Sequence, residues 1–157
     1  MTIRRSFRVA LGYLIVVSAE IGLWALLAPR SFYDGFPGLG RAWVAVDGPY
    51  NEHLVRDVGA LNLALAVVLL AAAVRLTRPL VDIAALAAIV WGVPHLTYHV
   101  LNTDGLSASD LALSLGGLTL FVALPLLLLT VDRSALEGAG DAPQRSPAAP
   151  SGSNPGG

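Results

Sequence analysis

The side chains able to do chemistry are few here, and they sit in or beside apolar runs. Glu20, Asn62, His95 and His99 interrupt such runs, and Glu52, His53, Arg56 and Asp57 crowd the start of one. His95 and His99 are four residues apart, a spacing that puts two side chains on one face of a helix. Imidazole titrates near neutral pH, so either histidine is a candidate general acid or base. Glu20 is the candidate buried acid or cation stabiliser. Arg56 has the charge to hold an anionic group, with Glu52, His53, Asp57, Asn62 and Tyr98 as candidate ligand-binding neighbours. His95 and His99 are also candidate metal ligands, with Glu20, Glu52, His53 or Asp57 to complete a nitrogen and oxygen shell. The HxxxH spacing comes without an HExxH signature, and no motif names a cofactor.

The elements that must position these groups are membrane spans. The chain of 157 residues is 55% hydrophobic and 13% charged, against about 25% charged in ordinary soluble domains. A net charge of -1 argues against an electrostatic nucleic-acid binder. The absence of cysteine excludes disulfides, thiolate ligands and thiol redox chemistry. All ten basic residues are arginine, which with abundant Ala, Leu and Gly reads as the coding bias of a high-GC bacterium. A bilayer core of about 30 Å takes about 20 apolar helical residues. Four stretches qualify, at 9–28, 54–74, 80–101 and 108–131. The expected fold is therefore an all-α, four-helix transmembrane bundle over 1–132, with a tail at 133–157 rich in Ala, Pro, Gly and Ser and expected to be disordered.

Arginines orient the bundle. Arg4, Arg5, Arg8, Arg75, Arg78, Arg133 and Arg145 fall on one side, and Arg30, Arg41 and Arg56 on the other. The positive-inside rule then places both termini in the cytoplasm, in a cell inner membrane. Arg4-Arg5-Ser6-Phe7 has the look of a twin-arginine export signal, but the apolar run behind it has the length of a full span and lacks an A-x-A-like site. A retained first helix is expected. The first loop, from about Pro29 to His53, carries Phe32, Tyr33, Phe36, Trp43 and Tyr50, rings that favour the membrane interface. A loop of that length in a compact domain is often a lid or binding element.

At about 1.5 Å per residue, Glu20 lies roughly 12 Å below the outer surface, Asn62 at a similar depth and His95 about 6–9 Å deep. The polar groups thus gather at the outer end, apart from Asp82 beside Arg75 and Arg78. Helical angles put His95, His99 and Asn102 on one stripe and Tyr13, Glu20 and Trp24 on another. Glu52 and Arg56 are four apart, as are His53 and Asp57, so both pairs can meet. Arg56 is the natural partner for Glu20. Structural readings stand beside these: Asn51 as an N-cap followed by a dipole-favoured Glu52, Arg56 and Asp57 as an ion pair, and Ser107 with Asp110 as a capping box. Pro94 predicts a kink next to His95.

The layout resembles the DoxX-like group of small four-helix bacterial membrane proteins over about Phe7 to Val131. The resemblance is carried by four spans, a long first loop, the segment Tyr50-Asn51-Glu52-His53-Leu54-Val55-Arg56-Asp57 and the segment Pro94-His95-Leu96-Thr97-Tyr98-His99. It implies the four-helix fold, and some members of that group are linked to quinone or sulfur redox chemistry. Three functions fit the residues. The first is an enzyme or binder of a small lipophilic molecule, such as a lipid or quinone, entering from the bilayer. The second is a metal-binding membrane protein, and the third a non-catalytic scaffold or accessory subunit.

Overall fold

The computed structural model describes residues 2–131, and over them the chain is helical. Its elements are α1 (Thr2–Leu27), a short α2 (Pro29–Gly35), α3 (Glu52–Arg75), α4 (Arg78–Leu101) and α5 (Ala108–Thr130). The four long helices are each apolar and long enough to cross a membrane. Only 28–33% of each span's apolar window is buried inside the bundle. Much of the rest is exposed Val, Leu and Ile. That surface suits hydrocarbon, where a helix satisfies its own backbone. The chain is therefore a multi-pass membrane protein. The segment 133–157, expected to be a disordered tail, lies outside the described residues.

Two boundaries differ from expectation. α1 starts at Thr2, seven residues before the apolar run, so Arg4, Arg5 and Arg8 ride on its first turns. Their aliphatic stems extend the apolar surface while the guanidinium heads reach water. The first loop also contains a helix, α2. Pro29 stands near its N-terminus, where a fixed φ and a missing N–H cost nothing, and Arg30 pairs with Asp34 one turn later at 2.7 Å. The other ends follow the sequence. The Asn51 side chain accepts the Leu54 N–H at 3.1 Å and so caps α3. Leu76, in the left-handed conformation (φ 47°), closes α3 and leads through Thr77 straight into α4.

The bundle is built as two pairs. α1 packs most extensively on α3 and α4 on α5, while α1 barely touches α5. Hydrocarbon offers no hydrophobic drive between helices, so association depends on close contact. Gly59 provides it: a Cβ there would lie 2.6 Å from the Leu26 backbone nitrogen. Gly22 meets Leu63 in the same seam. Gly92 of α4 lies against Phe121 and Val122 of α5. The main core, including Phe7, Leu11, Leu14, Leu69, Leu76, Val81 and Leu128, fills the end that holds the α3–α4 turn. At the other end, the loop end, a small cluster of Ala25, Phe32 and Val55 sits under the first loop.

Substituting Gly59→Val forces backbone apart from backbone and is expected to cost about 1–3 kcal/mol. Gly12→Ala, with open space at its Cβ, is expected to leave stability unchanged or raise it. Thermal unfolding of both variants in detergent, read by circular dichroism, tests the pairing. An unchanged midpoint for Gly59→Val would refute it.

Candidate functional site

A cavity of about 360 Å³ lies inside the loop end of the bundle. Every long helix contributes to it, and the first loop covers it. α1 supplies Tyr13, Val17 and Ile21, and α3 supplies Leu54, Val55 and Val58. α4 supplies Trp91, His95 and His99, one residue per turn along one face. α5 supplies Leu113, Ser114, Gly117, Leu118 and Phe121. The loop adds Phe32, Phe36, Trp43, Val44 and Asp47. Beyond Gly92, α4 has no buried residue, and Leu54 and Val58 are exposed as well as lining the cavity. The chamber therefore opens to the surface of the helices.

Ring contacts hold the histidines. Trp91 and His95 stack with centroids 4.8 Å apart and planes 23° from parallel. His95 and His99 meet edge to face at 4.9 Å, and Tyr98 packs against His99 at 5.5 Å. Phe121 braces Trp91 from α5 at 5.0 Å. Neither imidazole has a hydrogen-bond partner among the described residues. α4 remains one helix through Pro94. The Thr97 hydroxyl donates to the Val93 carbonyl at 2.8 Å beside it.

The roof is tied down at both ends. Trp24, Phe32, Phe36 and Trp43 form a chain of ring contacts over the top of α1, with centroids 4.8–6.1 Å apart. Trp24 Nε1 donates to the Ser31 hydroxyl at 3.2 Å. The Tyr33 hydroxyl donates to the Gly48 carbonyl at 2.5 Å. Arg30 lies over the Tyr33 and Tyr50 rings. Desolvation first, then nearby Glu52, raise the Tyr50 phenol above its ordinary range, so it stays protonated. The far half of the loop is fastened to α5. Trp43 Nε1 donates to Asp110 Oδ1 at 2.9 Å, and Arg41 forms an ion pair with the same oxygen. The Ser107 hydroxyl donates to Asp110 Oδ2 at 2.6 Å and accepts the Asp110 N–H at 3.2 Å. Ser107 caps α5 as the sequence implies, but Asp110 takes the Ser107 hydroxyl in place of its backbone N–H, so half of the capping box forms and its acid is also the anchor of the loop.

The expected site residues divide. His95 and His99 line the cavity, and Tyr98 lies behind them with its ring exposed. Glu20 does not join them. It is exposed on α1 between Val16 and Leu23, which are exposed too. The face that α1 turns to the cavity is Tyr13, Val17 and Ile21 instead of Tyr13, Glu20 and Trp24. The Glu20–Arg56 pair does not form. Arg56 is held by Glu52 at 2.9 Å and donates to the Leu26 carbonyl, which ties α3 to the end of α1. His53 and Asp57 pair at 3.3 Å on the exposed side of α3. Asn62 is fully buried and donates to the Val58 carbonyl at 2.9 Å, so it belongs to the helix packing. Among the described residues no three His, Asp or Glu side chains gather as a metal-holding group. Asp47, Ser114 and the Arg41–Trp43–Asp110 anchor escaped the sequence reading, and so did the face of α5. A tryptophan and an arginine two residues apart in a loop were the available signal.

Asp110→Ala removes the anchor and is expected to cost about 1–3 kcal/mol locally. Tryptic cleavage after Arg41 should then rise about tenfold or more with helicity unchanged, and an unaltered cleavage rate would count against the anchor. Glu20→Leu takes a carboxylate off the outer surface of a span, where its insertion costs roughly 2.5–3.5 kcal/mol near the centre. Its unfolding temperature in detergent should hold or rise, and a marked fall would reveal a partner that the bundle does not contain. No protein-family model matches the chain, and no curated protein or solved structure is similar to it.

Proposed function

We propose that this membrane protein binds a small lipophilic molecule of the quinone or lipid class in the cavity under the first loop. The observation that carries this reading is the pair of imidazoles, His95 and His99, in an apolar chamber without hydrogen-bond partners of their own among the described residues. His99 is half-buried and His95 exposed, and a polar group that faces apolar walls or hydrocarbon instead of water is costly to leave unpaired. A ligand carbonyl, hydroxyl or headgroup placed there satisfies one or both rings. The remaining walls are mostly Val, Leu, Ile, Phe and Trp side chains, with Tyr13, Asp47 and Ser114 as the other polar members, and suit an apolar body. The volume of about 360 Å³ falls within the range of small-molecule sites. The exposed Leu54 and Val58 supply a side door from the bilayer.

On this reading His95 and His99 hold the polar end of the ligand and serve as the candidate proton donor and acceptor. The bias of arginines toward the ends opposite the loop supports a reading with both termini in the cytoplasm and the cavity toward the outer face of the plasma membrane.

The test is extraction and mass spectrometry of the full chain purified in mild detergent. A quinone or lipid is expected near one per chain. Gly117→Phe projects a ring into the cavity from a position with open space at its Cβ, and should reduce the bound ligand at least tenfold while keeping the helices. His95→Leu should weaken retention less, by removing the polar contact alone. Equal ligand content in the parent and Gly117→Phe would sink the proposal.

A further inference from the structure

A second hollow lies at the opposite end of the bundle, in the seam that α1 and α5 leave open. It is a groove of about 720 Å³, walled by Phe7, Ala10 and Tyr13 of α1 and by Leu120, Leu124 and Leu128 of α5, with Arg5 at its rim. We propose that this groove holds one acyl chain of an anionic phospholipid, from the leaflet that meets the N-terminus of α1, with the phosphate against Arg5 at the rim and Arg8 adding to the positive charge of the same helix end.

Length and charge lead to that occupant. From Ile3 to Tyr13 is ten residues, about 15 Å along a helix, or half of a hydrocarbon core of about 30 Å. The groove thus spans one leaflet, the reach of one acyl chain, and ends at Tyr13. Its walls are apolar along that whole length. Its mouth is cationic. α1 has no acidic residue in its first turn. Arg5 and Arg8 are three residues apart, neighbours on the helix surface, and both are exposed. Neither makes an ion pair among the described residues. A chain buried between helices below a cluster of arginines is the chemistry that selects an anionic lipid over a zwitterionic one. The α1–α5 seam, barely in contact in the protein itself, is then completed by the lipid.

Native mass spectrometry of the delipidated full chain tests this. The probes are phosphatidylglycerol and phosphatidylcholine with identical acyl chains. One phosphatidylglycerol should be retained in clear preference to phosphatidylcholine. The double variant Arg5→Gln, Arg8→Gln removes two exposed charges. It should lose about fivefold or more in phosphatidylglycerol retention, chiefly through Arg5, and keep its phosphatidylcholine level. Ala10→Trp fills the groove and should abolish retention of both lipids. Should Ala10→Trp misfold, Leu124→Trp supplies a second reading: brominated acyl chains of phosphatidylglycerol should quench its fluorescence in bilayers, and less so in the double arginine variant. Equal retention of the two lipids overturns the proposal. So does phosphatidylglycerol binding that survives Ala10→Trp, or a dimer that Ala10→Trp dissolves, which would place a second copy in the seam.

Discussion

Close approach at glycine shapes how these four helices pair. Gly59 lets the backbone of α3 approach the backbone of the last turns of α1 until no Cβ would fit, and Gly92 of α4 makes room for the Phe121 and Val122 side chains of α5. Dispersion contacts of this kind are the available means of association in lipid. Helices drawn together in two pairs, and joined by the tight Leu76–Thr77 turn, close on the side of that turn. They do not also close the remaining seam. Both hollows border α1 and α5, which meet only lightly. The empty space is thus a geometric consequence of where the glycines fall.

The first loop converts one of those spaces into a chamber. Aromatic packing seats its near half on α1, and a carboxylate on α5 fixes its far half. The residues below the roof differ in size. Trp91 of α4 and Phe121 of α5 fill the deep end, whereas Ser114 and Gly117, earlier on the same face of α5, leave room nearer the roof. With large rings above and below and small residues between, the cavity persists. His95 and His99 stand in it because α4 repeats Trp91, His95 and His99 once per turn along the face it turns inward.

Much of the fold was legible in the sequence, and much of the site was not. Spans are readable because hydrocarbon thickness imposes a length, and four runs met it. Local pairs are readable because a helix brings residues four apart together: Glu52–Arg56 and His53–Asp57 formed as their spacing implied. The face each helix presents is another matter. In a soluble helix, polar residues mark the outside. In a span nearly every residue is apolar, so α5 gave no sign that Ser114 and Gly117 point inward. A carboxylate such as Glu20 can be placed inward or outward with equal ease on a helical wheel. The Arg41–Asp110 contact joins residues 69 apart, which no local pattern reports. α1 begins ahead of its apolar run because hydropathy marks where lipid begins, and a helix continues past it.

Tyr13 has a position whose consequence reaches both ends of the molecule. It is the single residue that borders the chamber at one end and the groove at the other. The two spaces share one wall, the ring of Tyr13. A guest that turned that ring would enlarge its own room at its neighbour's expense, and by thermodynamic linkage the effect would run equally in reverse. A single phenol thus separates the two ends of the molecule.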